Sequence, residues 1–319
     1  TAISQYNPYC CYPEQVAART RVQMMPTHEL VARCLQCSPA NPRILFLKGE
    51  GGCGKGVALV LARRGCAVTV VGRNEARGAA TVEALKAVAP TGATIKFVTL
   101  DVRSLAGIAK VCDEFTASTD TLDFLSLSCT RGGIQGYRPT AEQLDERLCT
   151  MYLSRLAFVH RLTPLLLKAS NPRVISILSA GHHSAYGPWE SDFLTRRANM
   201  SSRTFACGFY TDNALAKLAR EHPSLSLTHM YPGIVNSNWA LELPFGLKQI
   251  TNLMFSTSGR SVAEAGEFLA YPLLAPGAFA SGFHSLTPNA EPCAHTAGDA
   301  KTEDGVWAKT LEGYASKMG

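Results

Sequence analysis

The chain has 319 residues, of which 46% are hydrophobic, 8% aromatic and 18% charged, with a formal charge of +6. That length and apolar content support a sizeable globular core, and the positive charge is scattered rather than run together, so no nucleic-acid partner is indicated. No stretch approaches the roughly 18 consecutive apolar residues that span a bilayer, which leaves no transmembrane segment to predict.

Residues 1–42 read as an added arm. They carry Pro8, Pro13, Pro26, Pro39 and Pro42 around one short amphipathic helix, His28 to Gln36, with Leu30, Val31 and Leu35 on its apolar side. Such an extension is expected to pack or dock rather than to catalyse. Arg19, Arg21 and Arg33 stand against Glu14 and Glu29, a bias shared with mitochondrial targeting segments; a cytoplasmic location is the alternative. A start at Thr1 suits a processed chain or a trimmed one. Most of the eleven cysteines fall in predicted strands and helices, as buried thiols of a reducing compartment do. Cys34 and Cys37 have zinc-type spacing, but the adjacent Cys10 and Cys11 rarely aim two sulfurs at one metal, so no metal site is predicted.

From Arg43 the pattern changes to short apolar runs alternating with helical segments, the mark of a parallel sheet covered on both faces. Strands are predicted at 43–47, 67–71, 94–100, 122–128, 173–178, 225–231 and 281–286. The first of them breaks into Lys48-Gly-Glu-Gly-Gly-Cys-Gly-Lys-Gly56 and then into a helix at 55–64, closed by Arg63-Arg64-Gly65. Pro164 is expected to divide the segment 141–168 into two helices. Glycines between a strand and a helix admit a phosphate to free N–H groups and to the positive helix end. Gly49, Gly51 and Gly54 give the dinucleotide spacing GxGxxG. Gly49, Gly54 and Lys55 also begin a P-loop, but Gly56 stands where that loop needs Ser or Thr.

Four further stretches, Gly72-Arg73-Asn74, Leu100-Asp101-Val102, Ser179-Ala-Gly181 and Pro232-Gly-Ile-Val235, follow in order. With them the chain resembles the short-chain dehydrogenase/reductase family from about Arg43 to the C-terminus. The tail, Ser281-Gly-Phe-His284, Val306-Trp307 and Thr310-Leu-Glu312, is similar to that of eukaryotic members. The resemblance implies a Rossmann-type, doubly wound parallel α/β sheet of about seven strands, one domain over 43–319 with the N-terminal extension. It also implies a dinucleotide held by Gly49, Gly51, Gly54 and Gly56, with Asp101 on the adenine. Pro232, Gly233, Val235 and Ser237 would stand on the nicotinamide side. Gly72 occupies the place of an acid that reads a ribose hydroxyl and Arg73 follows it, which favours NADP(H) over NAD(H). Against the family pattern, Gly49-Glu50 replaces Thr-Gly, and Leu127-Ser128-Cys129-Thr130 replaces Asn-Asn-Ala-Gly.

Carbonyl reduction in that family uses Ser, Tyr, Lys and Asn. Ser179 and Tyr210 match the first two as catalytic candidates. Ala214 stands where the Lys should follow Tyr210, Lys217 lies about a turn too far along the helix, and Met151 falls at the Asn position. The long segment from Ser179 to Tyr210 holds His182, His183, Tyr186, Trp189, Glu190 and Asp192, from which a site could be rebuilt. The reading that follows is a cofactor-binding or structural relative of reductases with eroded chemistry, an accessory part of an assembly with protein partners or further copies of itself. The alternative is an active NADP(H)-dependent reductase of ketones or aldehydes. A phosphotransferase has no Walker-B partner in the sequence.

Overall fold

A computed structural model describes residues 42–47, 51–132, 136–237, 243–275 and 277–318. The arm up to residue 41, with Cys10, Cys11, Cys34 and Cys37, and the loop residues Lys48, Gly49 and Glu50 lie outside the described residues. The strands are β1 (Arg43–Leu47), β2 (Ala67–Gly72), β3 (Ile95–Thr99), β4 (Phe124–Leu127), β5 (Arg173–Ile177), β6 (Ser226–Met230) and β7 (Gly282–Leu286). All pair in parallel, in the order β3-β2-β1-β4-β5-β6-β7. Each predicted strand is present, with its ends within two residues of the expected ones.

Parallel neighbours need crossovers, and helices supply them. In chain order these are α1 (Gly52–Arg63), α2 (Glu75–Lys86), α3 (Leu105–Ser118), α4 (Glu146–Leu148), α5 (Ser154–Leu166), α6 (Met200–Glu221), α7 (Phe245–Ser258), α8 (Val262–Leu274) and α9 (Ala300–Met318). One apolar layer joins Val57 and Leu61 of α1 to Phe268 and Leu273 of α8 over Ile44 and Val68 of the sheet. The other joins Ile108, Leu156, Leu162 and Leu215 from α3, α5 and α6. Covered on both sides, β4, β5 and β6 are buried along their whole length, their polar Ser126, Ser176, Thr228 and His229 included. Among the described residues no helix is long and apolar enough to cross a membrane.

Two local expectations change. Pro164 does not divide its segment: α4 continues through a π turn, Cys149–Leu153, into α5, and Pro164 sits in the last turn before Leu166. A proline that close to a helix end forfeits one hydrogen bond and leaves the rest of the ladder intact. Gly56, expected at the cofactor, is buried against α8 instead. A Cβ at Gly56 would stand 2.3 Å from the Val262 carbonyl oxygen, and one at Gly266 would stand 2.5 Å from the Gly56 carbonyl oxygen. The two glycines let α1 and α8 meet backbone to backbone.

Gly266→Ala should therefore destabilise the fold. Alanine gains about 1 kcal/mol of helix propensity over glycine, whereas overpacking costs roughly 1–3 kcal/mol, and no rotamer relieves a clash with backbone. The expected net loss is on the order of 1 kcal/mol, read from the midpoint of urea unfolding. An unchanged midpoint would show that the helices move apart freely.

Candidate functional site

The strand order reverses between β1 and β4, which leaves a crevice beyond the carboxyl ends of the strands. A cleft of about 620 Å³ fills that crevice. Its wall draws on the ends of β1 through β6, from Gly51, Gly52 and Cys53 to Tyr231, Pro232 and Gly233. Gly51 is the N-cap of α1, whose first turn has no acidic residue. Gly52 has φ +54°, a conformation costly for a residue with a Cβ. The first-turn N–H groups of α1 lack intrahelical partners, so this wall suits an anion such as a pyrophosphate. Gly54 is buried within α1 and does not line the cleft.

At the end of β2, Arg73 is exposed on the cleft wall, with no hydrogen bond or ion pair to another described residue. Asn74 caps α2 by accepting from the Arg77 N–H at 2.8 Å, and that cap carries Arg77 onto the same wall. Asp101 also lines the cleft, held by Arg103 through Nε to Oδ1 at 2.9 Å and Nη2 to Oδ2 at 2.5 Å. The hydrogen bond from Arg103 keeps the Asp101 carboxyl below its ordinary value, so it remains an acceptor. The cap of α3 is Ser104. Pro232, Gly233, Val235 and Ser237 stand together on the opposite wall, and Ser237 Cβ lies 3.6 Å from the position of a Cβ on Gly52. The residues present fit a dinucleotide, with the start of α1 at Gly51 to Cys53 open to an anion, and Arg73, Asp101 and the Pro232 loop lining the same cleft. When bound, such a cofactor would supply hydride.

The catalytic candidates are not brought together. Ser179 follows β5, next to the cleft-lining Leu178, and its Oγ lies 3.4 Å from His183 Nδ1. Tyr210 is wholly buried in α6, with its hydroxyl donating to the Phe193 carbonyl at 3.1 Å. Its ring packs on Phe193 and Tyr152 at centroid distances of 4.5 Å and 5.3 Å, and burial pushes the phenol far above its ordinary value. The face of α6 toward Ser179 presents Gly208 instead, where a Cβ would meet the His183 ring at 2.4 Å. Two residues turn a helix by roughly 200°, so Tyr210 points the other way. Gly208 and Asp212, four apart on the face toward His183, carry neither a phenol nor an ammonium. Lys217 pairs with Glu221 at 2.6 Å and Asp304 at 3.2 Å. Met151 is buried, and Thr150 is the residue of that π turn that reaches the cleft.

A profile of the short chain dehydrogenase family matches residues 43–191. The chain belongs to this family. Relatives of this short-chain dehydrogenase/reductase include Oxidoreductase AN1596 of Emericella nidulans, 31% identical over 62% of the chain. The match spans 60% of that relative's length. Oxidoreductase andH of Emericella variicolor is 29% identical over 79% of the chain and 77% of its own length. Among solved structures, an archaeal alcohol dehydrogenase from Thermococcus sibiricus, complexed with 5-hydroxy-NADP, superposes with a TM-score of 0.59. It shares 13% identity over 80% of this chain and 100% of its own, which shows the common fold.

In this short-chain dehydrogenase/reductase several site residues had no sequence motif to announce them. Gly52, Cys53 and Arg77 adjoin recognised positions, so one more step along the loop or the helix would reach them. Tyr231 precedes Pro232 and takes the His182 ring against its own at 4.0 Å. Asp212 and His229, which flank His183, carry no spacing that links them. Tyr210→Phe is expected to leave nucleotide binding unchanged while destabilising the fold by about 1 kcal/mol, the worth of one buried hydrogen bond. Urea unfolding and a nucleotide titration on the same variant check this; weakened binding at unchanged stability would return Tyr210 to the site.

Proposed function

We propose that the chain binds NADP(H) in the cleft and that the family's tyrosine proton donor and the lysine that assists it are missing from it. The observation that carries this reading is the pairing of the described nucleotide wall with a Ser179 whose Oγ meets His183 rather than a tyrosine. Without a phenol and its neighbouring ammonium, the roughly 10²- to 10⁴-fold gain from general acid catalysis has to come from elsewhere or is lost. Preference for the 2′-phosphate rests on Arg73 and Arg77, unopposed by an acid at Gly72. An accessory role beside protein partners is supported by α7, whose Phe245, Leu247, Ile250 and Leu253 are exposed although large and apolar. Mitochondrial placement of that assembly rests on the arginine bias of the arm.

A second reading is an active NADP(H)-dependent oxidoreductase of carbonyl compounds. It is favoured by the contact of Ser179 with His183, and the relatives are themselves called oxidoreductases. Cofactor titration tests what the two readings share. Arg73→Ala should weaken NADPH at least tenfold and NADH less than twofold, since a charge-assisted hydrogen bond is worth roughly 1.5–3 kcal/mol. Equal losses for both nucleotides would show that Arg73 does not read the phosphate.

A further inference from the structure

Arg73 and Asp101 leave the sheet side by side. Gly72, the last residue of β2, is in register with Thr99 of β3, and the Leu100 N–H donates to the Gly72 carbonyl at 2.8 Å. Neighbouring strands lie about 4.8 Å apart, a separation that an arginine side chain spans. Both residues line the cleft. A carboxylate placed there has two cations within reach, Arg73 and Arg103, and it takes Arg103.

Arg103 holds Asp101 by three hydrogen bonds. Its backbone N–H and Nε donate to Oδ1 at 3.0 Å and 2.9 Å, and Nη2 donates to Oδ2 at 2.5 Å. Two partly exposed side chains make a weak and mobile pair on their own. Here the guanidinium is also fixed from behind, because Nη1 donates at 2.6 Å to Oε1 of Glu146, the first residue of α4, which is 2% exposed. Arg131 at 3.4 Å and Arg138 at 3.8 Å complete the charge around that buried carboxylate. The hydrogen bond from Arg103 is the main reason the Asp101 carboxyl stays below its ordinary value, with Arg73 a weaker contributor through space. Arg73 itself is exposed and makes no hydrogen bond or ion pair to another described residue.

We propose that Arg103, anchored on the buried Glu146, sets phosphate specificity by keeping the Asp101 carboxylate off Arg73, which leaves the Arg73 guanidinium open to a ribose 2′-phosphate. The proposal rests on the reading of the cleft as an NADP(H) site. An acid at the end of the second strand accepts from a ribose 2′-hydroxyl and repels a phosphate in its place, so it selects NAD(H). Gly72 removes the acid from that position, but Asp101 on the neighbouring strand is placed to restore it by pairing with Arg73. Bound to Arg103 instead, Asp101 is neutralised and the charge on Arg73 is left for the nucleotide. Arg103 acts on the phosphate through Asp101 and Arg73, and is a positioning residue; Glu146 is its anchor.

Titration of the full chain with NADPH and with NADH tests this, and the readout is the ratio of the two dissociation constants, because a lost contact to the base acts on both nucleotides alike. In Arg103→Leu the preference for NADPH should fall about tenfold, roughly the worth of one charge-assisted hydrogen bond. Adding Asp101→Asn to that variant removes the competing carboxylate and should return the ratio to within about twofold of the unmodified chain. In an Arg73→Ala background, Arg103→Leu should change the ratio by less than about twofold, since no guanidinium is left for Asp101 to take. Should Arg103→Leu not fold, Arg103→Gln reads the same comparisons. An unchanged ratio in the single variant overturns the proposal. So does a fall that Asp101→Asn fails to repair, or an additive loss in the Arg73→Ala background, either of which would show Arg103 acting on the phosphate without Asp101 or Arg73. Equal affinity of the unmodified chain for both nucleotides also overturns it and leaves the cleft a dinucleotide site. An unmodified chain that binds neither nucleotide overturns the cofactor reading itself.

Discussion

One buried cation ties together the strand ends on which the cleft is built. Arg155 is fully buried on α5 and donates to the Leu127 carbonyl at 2.7 Å, the Ser176 hydroxyl at 2.8 Å, the Ile177 carbonyl at 3.0 Å and, closer still, the Cys129 carbonyl. All four acceptors belong to the carboxyl ends of β4 and β5 or to the loop just beyond them. A parallel sheet leaves such carbonyls without ladder partners where its strands stop, and a buried carbonyl without a donor costs free energy. Burial draws the guanidinium down to about 10, which still leaves it charged at neutral pH. Where the family pattern has an Asn-Asn-Ala-Gly turn, this chain has Leu127 to Thr130, and a guanidinium from the neighbouring helix holds the backbone of that turn.

With β4 and β5 fixed, the cleft follows from topology. The chain leaves β1 toward one edge of the sheet, returns at β4 and continues to the other edge, so loops diverge above the β1–β4 boundary. The approach of α1 and α8 through Gly56 and Gly266 buries one face of α1, while its glycine-capped start faces the cleft. Ser237 closes toward Gly52 from the other wall. Nucleotide-binding features therefore persist in residues whose main work is backbone geometry. On the face of α6 toward His183 the side chains are Gly208 and Asp212, not a tyrosine and a lysine.

That division also decides what the sequence could disclose. Seven strands were legible because β-branched runs and glycine breaks are local signals, and the cleft residues Arg73, Asp101 and Pro232 lie at the ends of those runs. Tyr210 was misplaced because motif matching picks a residue by type, whereas its direction is set by where α6 meets the sheet. Gly56 looked like a phosphate contact because glycine serves close backbone approach to any neighbour, here another helix. Pro164 looked like a break because its cost depends on distance from the helix end. His183, Asp212 and His229 lie on a loop, a helix and a strand, so no spacing announces their contact, though paired histidines after Ser179 marked one of them.

The central claim is that this short-chain dehydrogenase/reductase keeps the cofactor cleft of its family while the group beside Ser179 is a histidine and not a tyrosine and lysine. A crystal structure of the chain with NADPH tests it most directly. The account predicts the 2′-phosphate against Arg73 and Arg77, the pyrophosphate at Gly51 to Cys53, and His183 against Ser179. A nicotinamide ring lying against the Tyr210 hydroxyl or a lysine ammonium, or NADPH seated outside this cleft, would contradict it.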